Sequence, residues 1–167
     1  LVSALPLHPG SDQVVLAFMD RSDPRETFDY LPHKGDNHVI VVPRASIGLS
    51  VIHGVCPGDW KGARVMLGDE IAEPLDLDVD STGLDVAASD AWVDMVDELG
   101  VDGSKLGGYP LWANAPIDVD TLVGRKLRFH HRLAGDVIDF QIGDGGVVYV
   151  FVDEEGTGGA LCWQQAG

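Results

Sequence analysis

The chain has 167 residues and a formal net charge of −16, from 27 acidic and 11 basic side chains. Phosphate binding needs a basic face, so this charge argues against nucleic acid as a partner, and equally against an anionic membrane surface. Hydrophobic residues make up 45% of the chain, and no apolar run reaches the ~18 residues of a membrane span. We therefore expect a single domain over residues 1–167 with a sizeable core.

The acidity leaves two explanations open. It suits a basic protein partner, which electrostatic attraction would bring in faster, and it also suits solubility alone. The first residues have neither the basic segment nor the long apolar core of a signal peptide. The chain does not begin with Met, which leaves open a lost targeting segment or a domain cut from a larger chain. The expected location is the cytoplasm. Cys56 and Cys162 stand far apart with no Cys-x-x-Cys pattern, which predicts small buried hydrophobes rather than a metal or redox pair.

The first hundred residues are predicted to be mainly strands. Residues 1–12 hold two prolines and a glycine, which predict an irregular start. Short apolar runs bounded by turn residues then predict strands. In chain order these cover residues 13–19, 38–42, 46–52, 63–67 and 75–80. One clear helix is predicted over residues 89–99, where apolar side chains recur at helical spacing before Gly100.

The C-terminal third opens with a glycine-proline corner, Lys-Leu-Gly-Gly-Tyr-Pro-Leu-Trp at residues 105–112. Adjacent Gly107 and Gly108 predict a tight backbone course, and Trp112 is expected to pack in the core or to line a groove. Residues 114–124 are predicted to be irregular. Strands follow at residues 127–133, 136–142, 147–152 and 160–164, the second and third forming a hairpin. The predicted fold class is α+β, mainly an antiparallel sheet with one helix.

Recognisable catalytic patterns are missing. The chain has no nucleophile elbow, Walker loop, His-Glu-x-x-His or paired-cysteine zinc pattern, so no catalytic residue, metal or cofactor is assigned. Alternating acids at 76, 78 and 80 fail the EF-hand pattern and read as the solvated face of a strand. His130 and His131 are neighbours on a strand, so their rings should face opposite sides, one solvated and one half-buried, unless the backbone is irregular.

The corner and the hairpin supply the candidate binding residues. They are Lys105, Tyr109, Trp112, Gln141 and Asp144. The residues expected to shape the backbone around them are Gly107, Gly108, Pro110, Gly143, Gly145 and Gly146.

These segments carry a family resemblance. The corner at 105–112, Phe-Gln-Ile at 140–142, Gly-Asp-Gly-Gly-Val-x-Tyr-Val-Phe-Val at 143–152 and Trp-Gln at 163–164 resemble the C-terminal signature of the YwqG-like family. This is a mostly bacterial domain of unknown function, and the similarity covers about residues 103–165. Ala113-Asn114 departs from it, since a Gln often follows the tryptophan motif there. The resemblance implies a mostly β, α+β domain without established catalytic residues, and some members look like immunity proteins that neutralise toxins.

Two functions follow as hypotheses, and the sequence leaves the oligomeric state open. The first is a non-enzymatic module that binds a basic protein, such as a bacterial toxin, through an acidic surface. The alternative is a small-molecule-binding protein or hydrolytic enzyme with its site near the corner, drawing on Trp112, His130 or His131, Gln141 and Asp144.

Overall fold

A computed structural model describes residues 2–19, 37–47, 103–113, 117–134 and 146–165. Strands dominate these ranges. They are β1 (Ser3–Pro6), β2 (Gln13–Phe18), β3 (His38–Pro43), β4 (Lys105–Leu106), β5 (Leu127–Leu133), β6 (Val147–Asp153) and β7 (Gly158–Gln164). Two short helices accompany them, α1 (Arg44–Ile47) and α2 (Val119–Val123).

The seven strands form one sheet in the order β1-β2-β3-β7-β6-β5-β4, and every neighbouring pair is antiparallel. The prediction of a mainly antiparallel β structure is confirmed. The described helices are short, and the predicted helix over residues 89–99 lies outside the described residues. Within the described part of the chain, no helix is long and apolar enough to cross a membrane.

β6 is the most deeply buried of the described strands, because all seven of its residues are buried and its apolar run packs on both faces. Alternate side chains of β6 enter two different clusters, which we call inner and outer. The inner cluster holds Leu7, Val15, Ala17, Met19, Val39, Leu133, Val148, Val150, Val152 and Leu161. The outer cluster holds Val119, Val147, Tyr149, Phe151, Ala160 and Cys162, and the partly buried Trp112 and Phe129 pack against it. Each fully buried aliphatic or aromatic side chain contributes about 1.5–3 kcal/mol.

The sheet is curled into a half-barrel around the inner cluster. β1 is the first strand of the sheet and β5 the sixth, yet Ser3 Oγ lies 2.8 Å from His131 Nε2. His130 likewise reaches the carbonyl oxygens of Pro6 and Leu7, at 3.0 and 3.2 Å from its Nε2. Polar side chains of β5 thus join the two ends of the sheet across its concave side.

Five strand predictions are confirmed, those at residues 13–19, 38–42, 127–133, 147–152 and 160–164. The prediction of an irregular start is wrong, because Ser3–Pro6 pairs with β2 as the edge strand β1. Proline is tolerated at an edge, where its missing N–H leaves no ladder hydrogen bond unmade. The predicted strands at 63–67, 75–80 and 136–142 lie outside the described residues.

Two further predictions are wrong for local reasons. Ser46 and Ile47, predicted as the start of a strand over 46–52, belong to helix α1, which begins directly after Pro43. Residues 119–123, predicted as irregular, form α2. The Asp118 side chain caps this helix by accepting the N–H of Thr121 at 3.1 Å, and Gly124 ends it.

The predicted hairpin between residues 136–142 and 147–152 is also wrong in its pairing. β6 is paired along one edge with β5, from Leu127 opposite Asp153 to Leu133 opposite Val148. Its other edge is paired with β7 over the same length. Both edges of β6 are therefore occupied by β5 and β7, and no edge is left for a third partner strand.

Candidate functional site

The glycine corner follows β4 directly. Gly107 and Gly108 have φ angles of 78° and 72°, a region that side-chain-bearing residues rarely adopt, so the predicted tight course is confirmed. The N–H of Gly107 donates to the carbonyl of His130 at 2.7 Å, which ties the corner to β5. Tyr109, at the turn, is 41% exposed.

Trp112 packs on the outer cluster, as predicted for a core residue. Its ring centroid lies 4.6 Å from that of Tyr149 and 5.9 Å from that of Phe151. The Tyr149 hydroxyl accepts the N–H of Ala113 at 2.7 Å and donates to the carbonyl of Leu111 at 3.3 Å. Leu111 has a φ of 49°, a strained conformation for leucine, and these two hydrogen bonds hold the chain in it.

The corner leads into a row of four side chains across the outer face, which we call the outer row. Lys105 of β4 is opposite Arg132 of β5, Arg132 is opposite Tyr149 of β6, and Tyr149 is opposite Cys162 of β7. Residues opposite one another on adjacent strands share a face, with Cβ atoms about 4.5–5.5 Å apart. The row therefore places two cationic side chains, a phenol and a thiol side by side.

The two basic side chains of this row, Lys105 and Arg132, lie in an unusual electrostatic environment. Burial, assisted by the charge of Arg132, lowers the pKa of Lys105 to about 7. The Lys105 Nζ lies 5.8 Å from the centroid of the Phe129 ring. The Arg132 Nη1 donates to the carbonyl of Gly103, while its Nε is buried without a hydrogen-bond partner in the described part of the chain.

The other end of the row is inert. Burial raises the pKa of the Cys162 thiol, and a thiol kept protonated is a poor nucleophile and metal ligand. Cys162 is free and fully buried in β7, which confirms the prediction of a small buried hydrophobe. Cys56 lies outside the described residues. Burial also raises the pKa of Tyr149, so its hydroxyl stays protonated.

A second polar group lies on the inner face. The β5–β6 register shifts between Phe129 and His131, so one extra residue is accommodated there. Such a bulge turns two consecutive side chains to the same side. Both histidine rings are buried, His130 Nδ1 lies 2.6 Å from His131 Nδ1, and the prediction of opposite faces is wrong.

The chemistry of the partners sets the direction of every hydrogen bond in this histidine chain. Carbonyl oxygens only accept, so His130 Nε2 carries a proton for Pro6 and Leu7. A neutral His130 therefore accepts at Nδ1, and His131 must donate from Nδ1. His131 then accepts at Nε2 from the Ser3 hydroxyl.

Burial keeps this chain neutral. It lowers the pKa of His130 and lowers that of His131 further, with the neighbouring histidine adding to the effect on His131. A serine donating to an oriented imidazole is also the arrangement of a nucleophile and its base. Here Ser3 is only 8% exposed and His131 is fully buried, so the chain acts as a polar closure of the half-barrel.

The structure separates the residues of the alternative site. Trp112 lies on the outer face and His131 on the inner face, so the sheet stands between them. Lys105 and Trp112 share the outer face with Tyr149. Gln141, Asp144, Gly143 and Gly145 lie outside the described residues, and Gly146 is buried directly before β6.

Sequence reasoning missed Arg132, Tyr149 and Ser3. Arg132 and Tyr149 belong to predicted strands, but their meeting with Lys105 depends on the pairing of β4 with β5. The partnership of Ser3 with His131 joins residues 128 positions apart, and no local pattern signals it.

Metal ligands are not gathered in the described ranges, which hold no group of three His, Cys, Asp or Glu side chains able to bind an ion. Comparison of the chain with protein-family models, curated proteins and solved structures finds no match. The function is therefore argued from the chain itself.

Proposed function

We infer a binding function from the distribution of charge along the chain, which is very uneven. The described residues contain six acidic and six basic side chains, so their formal charge is zero. The whole net charge of −16 therefore belongs to residues 20–36, 48–102 and 135–145. The described part of the sheet is therefore neutral, whereas the other segments of the chain carry the negative charge.

We propose that the protein is a non-enzymatic binding module whose acidic segments bind a basic protein. The separation of charge is the observation that carries this proposal. A concentrated field of one sign attracts a partner of the opposite sign and speeds its association. A toxin that acts on nucleic acid is such a partner, because it needs a basic face of its own.

The buried polar groups of the inner face support a scaffolding role for the sheet. Ser3, His130 and His131 bond to one another and to backbone carbonyls. Side chains whose hydrogen bonds are all made internally stabilise one arrangement of the strands. The YwqG-like resemblance, with its immunity-protein members, stays a prediction that agrees with this proposal.

Capture experiments test the binding module directly. The immobilised protein is exposed to a lysate of the organism that encodes it, and bound proteins are eluted by raising the salt from about 50 mM to about 500 mM. We expect a basic protein that elutes with salt, encoded beside the gene for this chain. Capture of nothing, or of a partner that salt does not release, would contradict the proposal.

A pair of matched variants tests whether binding depends on the acidic segments or on the net charge alone. The test variant carries Asp94→Asn, Asp97→Asn and Glu98→Gln, and the control carries Asp12→Asn, Glu154→Gln and Glu155→Gln. Each set removes three negative charges, and the control positions are exposed residues that flank β2 and β6. We expect the test variant to bind the captured partner at least about tenfold more weakly and the control within about twofold. Equal losses would mean that net charge alone matters.

The outer row favours a second candidate function, a site for a small molecule at the corner. Lys105 and Arg132 meet there beside the Phe129 ring. Their chemistry is specific enough to be argued separately.

A further inference from the structure

The outer row places an amine and a guanidinium together on adjacent strands. Lys105 and Arg132 are register partners, so both side chains leave the sheet on the same face. The aromatic ring of Phe129 lies beside the amine, 5.8 Å from Nζ to the ring centroid. Proteins make a lysine nucleophilic by such means, through apolar desolvation and a second cation nearby.

We propose that Lys105 is a nucleophilic amine that forms an imine with a small carbonyl compound bearing a carboxylate, which Arg132 binds. The class includes 2-oxo acids and aldehyde acids. This site is independent of the protein-binding proposal, because it uses the neutral sheet rather than the acidic segments.

The reaction needs only the amine and the carbonyl compound. Lys105 Nζ adds to the carbonyl carbon to give a carbinolamine, and loss of water then forms the C=N bond. The carbonyl oxygen leaves with the two hydrogens of the neutral amine, so no oxidant or reductant takes part. With its pKa at about 7, roughly half of Lys105 is neutral at neutral pH. An ordinary lysine, with a pKa near 10.4, is neutral in fewer than about one molecule in a thousand.

Arg132 is the reason that we expect the ligand to carry a carboxylate group. A guanidinium presents several N–H donors in a planar fork that matches the two oxygens of a carboxylate. Its Nη1 is directed to the carbonyl of Gly103, while its Nε lacks an acceptor among the described residues. A buried donor without an acceptor destabilises the protein, and a ligand oxygen would relieve this. The Tyr149 hydroxyl lies next in the row.

The test compares two lysines within the unmodified protein. It is incubated at neutral pH with glyoxylate and cyanoborohydride, which reduces imines to stable secondary amines, and the adducts are located by peptide mass mapping. Lys126 is the internal control, because its side chain is 80% exposed and easier to reach. We expect Lys105 to be modified at least about tenfold faster, because its neutral fraction outweighs its lower access. Equal rates, or faster modification of Lys126, would overturn the proposal.

Two variants separate the amine from the carboxylate partner. Lys105→Arg keeps the charge, and we expect it to lose the adduct at this position alone. Arg132→Met is compared with the unmodified protein using glyoxylate and acetaldehyde, which lacks a carboxylate. The ratio of the glyoxylate rate to the acetaldehyde rate should fall by at least about fivefold, because a charge-assisted contact is lost. An unchanged ratio refutes the role of Arg132, and circular dichroism checks that both variants fold.

Discussion

The two faces of the sheet bury polar groups in opposite ways. On the inner face, Ser3, His131 and His130 form a neutral chain in which each donor meets an acceptor. On the outer face, Lys105 and Arg132 place two cationic groups side by side, and one Arg132 donor has no acceptor in the described residues. A fully satisfied buried network stabilises a structure, whereas an incomplete one retains free energy that a ligand can recover.

One strand supplies both arrangements. His131 and Arg132 are consecutive in β5 and therefore point to opposite faces. The bulge beside Phe129 adds His130 to the inner side without moving Arg132 from the outer side. A single local irregularity thus separates an architectural group from a reactive one.

The largest effect is expected where β7 approaches β6 closely. A Cβ on Gly159 would lie 1.9 Å from the carbonyl oxygen of Phe151 and 2.9 Å from a methyl group of Val39. Gly159→Ala should therefore destabilise the protein by about 3 kcal/mol or more, because neither backbone can yield without loss of pairing. Denaturant unfolding measures it. Gly158→Ala is the control, since its Cβ meets neighbours only at 3.5 Å or more. Similar losses in both variants would contradict the packing described.

Removal of His131 should disrupt the hydrogen-bonded chain on the inner face. His131→Leu leaves the Ser3 hydroxyl and His130 Nδ1 without their partner, and we expect a loss of about 2–3 kcal/mol in unfolding free energy. Chemical denaturation of His8→Leu serves as the comparison, because His8 is exposed and should change stability by less than about 0.5 kcal/mol. If the two variants were equally stable, the histidine chain would not close the sheet.

A smaller effect is expected from the clamp on the outer face. Tyr149→Phe keeps the ring against Trp112 but removes the hydroxyl from the backbone of Leu111 and Ala113. We expect a loss of about 1–2 kcal/mol, measured by thermal or denaturant unfolding. Tyr109→Phe removes the same atom from a ring that is 41% exposed, and its loss should be smaller. The reverse order would place the anchor of the corner elsewhere.

The smallest expected effects are changes in the unfolding free energy with pH. The histidines of the inner face and Lys105 of the outer face should contribute in different pH ranges. Burial lowers the pKa of His130 and His131, so their contribution to stability is complete above about 6.5 and is lost as the pH falls further. The pKa of Lys105 is lowered to about 7, so unfolding takes up a proton between pH 7 and about 10.4, and stability rises with pH there. Above about 8.5 the buried Cys162, with its raised pKa, opposes this rise.

Unfolding measured across pH separates these contributions. His131→Leu should flatten the slope below pH 6.5, and Lys105→Met should flatten it between pH 7 and 8. The other charged group acting on the histidines is Arg128 of β5, which lowers the pKa of His130. The groups facing them from β1, β4 and β6 are Ser3, backbone carbonyls, Leu106 and Val150. Unchanged slopes in both variants would show that these groups do not titrate as described.

Local patterns were enough for most of the described strands. The continuous apolar run at 147–152 predicted a buried strand, and its burial on both faces is the physical reason that the run lacks alternation. Asp118 and Gly124 are a start and a stop signal for α2 that the sequence does contain. β1 escaped prediction because its proline is tolerated only at an edge, and edge position is a property of the assembled sheet.

The candidate site was only partly predictable. Lys105 and Trp112 were predictable from the corner sequence, but the residues that they contact, Arg132 and Tyr149, lie on other strands. The histidine prediction failed because a bulge is defined by two residues opposing one, which a single strand cannot reveal.

The order of strands in the sheet also affects how the chain is made. β1, β2 and β3 are consecutive and can pair as soon as they leave the ribosome, but the free edge of β3 pairs with β7, where Val39 meets Gly159. This pairing cannot form until residues 158–164 have been synthesised. An unpaired strand edge invites pairing with another chain, and distant contacts slow folding. Truncation before β7 should therefore increase aggregation, because it removes the partner of β3.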